Sequence, residues 1–123
     1  MAVEMQVDIY GIPELREKLD RLDQNMRVYV DQALDFEVQA MQNRAQSLAP
    51  KRTGYLASTV FAQKIGEWSF KLGARASYAF FVEFGTRFMQ ARRFLSRALE
   101  LSMLGLVQHV NHAIQTAIRE ASS

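Results

Sequence analysis

Apolar positions recur through the first half of the chain at helical spacing. From Leu15 they fall at Leu19, Leu22, Met26, Tyr29, Ala33, Phe36 and Ala40, in steps of three and four that trace one stripe of a helix. From Val30 a second stripe runs beside it through Leu34, Val38, Met41, Ala45 and Leu48, so the later half should be buried on two sides. One straight helix from Pro13 to Leu48 would be roughly 50 Å long at about 1.5 Å per residue. A compact domain of this size has a radius of gyration of only about 14 Å. We therefore expect a break at Asp23-Gln24-Asn25, where capping residues gather, and an end at Pro50, which cannot continue a helix.

Other periods flank this helix. Residues 5–10 alternate apolar and polar and read as a strand, closed by Gly11 and by Pro13, which suits a helix start. Residues 51–54 form a polar, basic turn. Residues 56–63 read as a strand through Thr59, Val60 and Phe61. After a turn at Ile65-Gly66-Glu67, Trp68, Phe70 and Leu72 alternate with Ser69 and Lys71, which predicts a hairpin with one buried face. A loop should follow over 73–77. Residues 78–84 form a continuous apolar run that periodicity leaves open between strand and buried helical turn, ended by Gly85. From Phe94 a last helix carries Leu95, Leu99, Met103, Leu106, Val110, Ala113 and Ala117 on one stripe, with Leu104, Val107, Ile114 and Ile118 beside it, and should fray over 121–123. The expected fold is α+β in a single domain over 1–123. A small antiparallel sheet of three or four strands packs against two long helices, with a short extra N-terminal helix.

The stretch 78–99 organises the rest. Phe80, Phe81, Val82 and Phe84 cannot all point into one small core, so some should face a partner chain, with Tyr78, Thr86 and Phe88 alongside. Glu83, a charge inside the apolar run, must reach water or meet a cation. The nearest candidates are Arg87, Arg92, Arg93 and Arg97. This reads as an assembly surface.

Composition narrows the class. Hydrophobic residues make up 49% and charged residues 23%, ordinary for a globular soluble chain. No apolar run approaches the ~20 residues that span a bilayer, and no charged-then-apolar leader is present, so we expect action in the cytoplasm or in a particle assembled there. Without cysteine there can be no disulfide, thiolate metal site or cysteine nucleophile. A net charge of +2 is too slight for a dedicated nucleic-acid binder, although clustering could still create a local basic patch.

Catalytic constellations are hard to assemble. His109 and His112 sit three apart on the last helix, but zinc takes at least three protein ligands and no carboxylate lies within a turn of them, so they read as surface or interface histidines and no metal is expected. The glycines form no phosphate cradle, Ser58 and Ser77 have no base nearby in sequence, and Asp20 and Asp23 read as solvated. Neither an enzyme nor a cofactor is expected. Trp68, Met26, Met41 and Met103 read as core. Arg87, Arg92, Arg93 and Arg97, with Arg75 and the Lys51-Arg52 turn, could line one side and meet phosphates or acidic side chains, against the plainer reading of solvated charges. No helix-turn-helix, zinc-finger or arm signature supports sequence-specific DNA reading.

The segments Ala49-Pro50-Lys51-Arg52-Thr53-Gly54-Tyr55-Leu56, Tyr78 to Thr86, Ala91-Arg92-Arg93-Phe94-Leu95 and Ala98-Leu99-Glu100 together resemble the tail-completion, or head–tail joining, neck proteins of long-tailed bacteriophages, which also occur in prophages. Val82-Glu83-Phe84-Gly85-Thr86 is the most specific part. The family usually has proline where this chain has Arg93 and Arg97. The resemblance implies a structural virion protein in a ring, commonly sixfold, at the head–tail junction, assembled in the host cytoplasm. Its partners would be copies of itself, the connector or stopper, and the tail terminator or tail tube, with double-stranded DNA passing through the lumen. The residues agree on their own terms: Tyr78, Phe80, Phe81, Glu83, Phe84, Thr86, Phe88, Arg92 and Arg93 are expected at subunit or partner contacts, with Glu83 pairing with an arginine of the adjacent subunit as a hypothesis. Lys51, Arg52, Arg75, Arg87 and Arg97 would face DNA or acidic partners. A tail terminator ring and a non-specific DNA-binding accessory protein are the competing expectations.

Overall fold

The computed structural model describes residues 1–52 and 54–122. Thr53, within the expected 51–54 turn, and Ser123, within the expected frayed end, lie outside the described residues. The fold is α+β: a three-stranded antiparallel sheet and two long helices. Strand β1 (Val3–Asp8) leads through a 3₁₀ turn (Ile9–Gly11) into helix α1 (Pro13–Asp20), and helix α2 (Gln24–Leu48) follows. A single helical turn, α3 (Tyr55–Ser58), precedes strands β2 (Val60–Lys64) and β3 (Ser69–Ala74), a short helix α4 (Ala79–Phe84) and the last helix α5 (Phe94–Ala121).

The break between the first two helices falls where capping residues were expected. The Asp23 carboxylate accepts from the Met26 N–H at 2.9 Å and caps α2, while Asp20 accepts from the Tyr10 hydroxyl at 2.8 Å. Helix α2 stops two residues before Pro50. It is the middle layer. On one side the sheet packs on it, with the Ala62 N–H donating to Gln42 Oε1 at 2.8 Å. On the other, α5 runs antiparallel to it: Arg44 reaches the Leu101 carbonyl, Glu37 meets His109, and Tyr29 lies beside Thr116. Val30, Ala33, Leu34, Val38, Met41 and Ala45 are buried between these layers. Phe36 and Ala40, read as core, are exposed: Phe36 stands at the rim of the α2–α5 seam, where its ring meets that of His109 edge-on, the centroids 5.5 Å apart. Helix α5 has a neighbouring layer on one side only, so Leu104 and Ile118, also read as core, remain exposed. Met41 is fully buried, whereas Trp68, Met26 and Met103 are half-buried.

Strand β3 is central, in the order β1-β3-β2. Phe70, Leu72 and Ala74 face α2, and Ser69 and Lys71 carry the wetter face, as the hairpin pattern predicts. Several boundaries differ from the sequence reading, the start of β1 at Val3 rather than Met5 among them. The first strand ends at Asp8, because its carboxylate accepts from the Tyr10 N–H at 3.0 Å and turns the chain so that Ile9 is buried. Residues 56–58, expected in a strand, form α3. Gly54, at φ 77°, turns the chain, the Ser58 N–H bonds the Gly54 carbonyl, and Leu56 is buried beneath it. Gly73 and Ala74, expected in a loop, extend β3 because they pair with Glu4 and Val3 of β1. A Cβ on Gly73 would lie 2.5 Å from the Val3 carbonyl oxygen and 2.8 Å from the Phe61 ring, so glycine permits this close approach.

Lys64 ties the sheet to α2 by hydrogen bonds to Asp31 and, at 3.0 Å, Asp35. Burial alone would lower its pKa, but these hydrogen bonds and the two charges outweigh it and hold the ammonium above its usual 10.5. A raised folded-state pKa contributes stability below the unfolded value and loses it as pH rises through the folded one. The stability difference between the wild type and Lys64→Met should therefore stay constant from about pH 7 to 9 and shrink above the reference lysine value. Denaturant unfolding across that range checks this, and a difference that persists to pH 12 contradicts it.

Candidate assembly surface

Helix α4 settles the open reading of the apolar run. Helical spacing turns Ala79 and Glu83 inward, where both are fully buried, and sends Phe81 and Phe84 outward, 40% and 53% exposed. Phe80 is half-buried and links them, its ring centroid 5.8 Å from Phe81 and 4.8 Å from Phe84. The Phe80 N–H donates to the Met1 carbonyl at 2.8 Å, which ties α4 to the start of β1.

Glu83 neither reaches water nor meets a cation. Its carboxylate accepts from the Leu95 N–H at 2.8 Å, the Ser96 N–H at 3.3 Å and the Ser96 hydroxyl. These donors belong to the first turn of α5, whose N-cap residue, Arg93, supplies no side-chain cap of its own. Glu83 is therefore a cap delivered from a neighbouring helix, and its charge also complements the positive end of the α5 dipole. The expected pairing of Glu83 with an arginine of an adjacent subunit gives way to this intrachain bond, because the carboxylate is enclosed and its oxygens are engaged within the chain.

The link between the helices is also built from defined bonds. The Arg92 N–H donates to the Val82 carbonyl at 2.8 Å and the Arg93 N–H to the Glu83 carbonyl at 3.2 Å, satisfying carbonyls at the end of α4. Arg93 adopts a left-handed conformation at φ 46°. A proline, held near −65°, could not take its place. Gly85 turns the chain at φ 79°, and a Cβ there would lie 2.7 Å from the Ala91 nitrogen and 2.9 Å from the Met89 oxygen. Thr86 and Met89 then pair back to back, and the Phe88 N–H donates to Thr86 Oγ1 at 3.1 Å. This tight turn presents Phe88 at its tip, 89% exposed, with the Arg87 guanidinium 5.2 Å from its ring.

The aromatic surface extends further than the sequence suggested. Tyr55 and Met89 are exposed beside it, the Tyr55 ring centroid 6.3 Å from that of Tyr78. Tyr55 was legible only as the residue after the Gly54 turn. Pro50, Arg52, Leu56, Tyr78 and Val82 line a groove of about 410 Å³.

The basic residues divide into groups. Arg92, Arg93 and Arg97, with Ala91 and Glu100, line a depression of about 320 Å³, within which Arg93 pairs with Glu100 at 2.7 Å. Lys51 and Arg52 are exposed just past α2. Arg75 is held apart over the Phe61 ring, 3.9 Å from its centroid. His109 meets Glu37 at 2.8 Å across the helix pair, a carboxylate partner invisible from local sequence, and His112 is exposed. Among the described residues no group of three or more His, Asp or Glu could hold a metal ion, and no helix is long and apolar enough to cross a membrane.

A family model described as "Bacteriophage HK97-gp10, putative tail-component" matches residues 13–85, more than half of the chain and the span from α1 to the glycine that ends α4. No curated protein and no solved structure matches the chain.

Proposed function

Because the chain belongs to the HK97-gp10-like family of bacteriophage tail components, we propose that it is a virion protein that forms a ring at the head–tail junction and joins the two without catalysis. The observation that carries this reading is the built aromatic surface. Tyr78, Phe81, Phe84 and Phe88 stand outward at the start and along the face of a short helix, anchored by the buried Glu83, and on a turn held by Thr86 and Met89. Exposed aromatics on a rigid support suit a contact that loses little entropy on forming. A contact between different faces of identical subunits closes into a ring when its rotation allows. Arg92 and Arg97, exposed beside this surface, would attract DNA in the lumen without reading its sequence.

Deleting the gene from its phage or prophage should leave filled heads and full-length tails unjoined, and adding the purified protein to mixed extracts should restore joining. Electron microscopy of the lysate reads both results. Tails of irregular length would instead favour a tail terminator, and normal joining without the protein would end the proposal.

A further inference from the structure

Charge is sorted along the molecule. Where α2 ends and α5 begins, the chain gathers Lys51, Arg52, Arg87, Arg92 and Arg97, against Glu100, which Arg93 already engages. At the other end of α2, Gln24, Arg27, Val28, Asp31, Glu67 and Trp68 line a groove of about 230 Å³. Its apolar wall is Val28, 52% exposed, and the half-buried Trp68, with the Arg27 guanidinium 5.9 Å from the indole. On and beside this groove Asp31, Asp35 and Glu67 pair with Arg27 and Lys64, three carboxylates against two cations, which leaves the rim one net negative charge.

We propose that the Arg87-Phe88 turn of one copy seats in the Val28–Trp68 groove of the next, the phenyl ring on the apolar wall and the guanidinium toward the acidic rim. This rests on the ring reading above and names the contact that would close it. The groove and the turn complement each other in both respects, an apolar tip beside one cation against an apolar wall whose rim carries one surplus negative charge. The same molecule cannot make the contact with itself, because the run of α2 from Val28 to Leu48 alone spans roughly 30 Å. Peg and groove therefore lie on different faces, the head-to-tail arrangement that a ring requires. The second apolar groove, between α2 and α5 beside Phe36, is bordered by His109 and His112 and carries one carboxylate at its edge, Glu37, hydrogen-bonded to His109, against the three around the Val28–Trp68 groove.

The chain has no cysteine, so engineered thiols report a single contact. Met89→Cys beside the peg and Gln24→Cys on the groove rim leave Phe88, Val28 and Trp68 in place. In joined particles carrying both substitutions, mild oxidation should give a non-reducing ladder in steps of the 14.1 kDa chain. Either cysteine alone should leave monomer, with dimer at most, and adding Phe88→Ser should abolish the ladder that the double-cysteine variant gives as isolated protein at about 1 mM. Joined particles without a ladder, or a ladder indifferent to Phe88→Ser, overturn the contact and leave the joining reading standing. A ladder produced instead by Met89→Cys with Phe36→Cys overturns it in favour of the other groove. Should heads and tails join without the protein, the joining reading falls, and the same gel on the isolated protein at about 1 mM, in the range of effective concentration that tethering provides, still decides the contact by the presence or absence of the ladder.

Discussion

Replacing Glu83 with alanine should lower the unfolding free energy by about 3 kcal/mol, because two backbone N–H groups and a hydroxyl at the start of α5 lose a charged acceptor in a place water does not reach. The loss exceeds that of an exposed N-cap, about 1 kcal/mol, since the orphaned donors are enclosed. For a domain of this length it corresponds to a fall in melting temperature of roughly 12 °C, taking about 4 °C per kcal/mol. Glu83→Gln should cost about half as much, because one oxygen still accepts while the amide group faces donors. Ser96→Ala removes only the hydroxyl contact and should cost about 1 kcal/mol. Thermal and denaturant unfolding with an unchanged m-value measure all three. A loss below about 1 kcal/mol for Glu83→Ala would mean that the carboxylate does not cap α5 from within the chain. The same substitution should also impair joining, because Arg92 and Arg93 rest on the end of α4 and the Phe88 turn lies between that anchor and Gly85.

The contrast between Glu83 and the helix break at Asp23 shows which features of this fold are local enough to read from sequence. Asp23 caps the N–H three residues ahead of it, so composition and spacing suffice. Glu83 caps donors twelve and thirteen residues away on another helix, and nothing in its own neighbourhood reveals that partner. The apolar run around it was legible as an element but not as a helix, since six residues are too few for periodicity to separate helix from strand. The strand alternation at Phe70 and Leu72 was legible because one face of β3 meets α2. The extension of β3 through Gly73 was not, because it depends on pairing with β1, almost seventy residues earlier in the chain. At Leu56 the β-favouring residues that follow suggested a strand, and the turn set by Gly54 and the Ser58–Tyr55 hydrogen bond prevailed. Phe36 and Leu104 expose the limit of stripe reading. Spacing identifies a face of a helix, but whether another layer covers that face is a tertiary fact.

Phe88→Ser should leave the fold untouched and abolish joining. The side chain is 89% exposed and its turn is held by backbone bonds and the Thr86 hydroxyl, so unfolding stability should change by less than about 0.5 kcal/mol. At an interface the same truncation removes a buried aromatic anchor, worth about 2 kcal/mol or more, which weakens each contact roughly thirtyfold. A ring multiplies this, because every subunit makes the contact and closure needs all of them. Purified variant protein added to extracts of unjoined heads and tails should therefore restore few or no joined particles, although its melting curve overlays that of the wild type. Leu104→Ser is the matched control, an equally surface-borne apolar residue, 70% exposed, on the far side of α5 from α2. It should preserve both stability and joining. If Leu104→Ser blocks joining while Phe88→Ser does not, the contact that matters lies along the long helices, and the aromatic turn has no part in it.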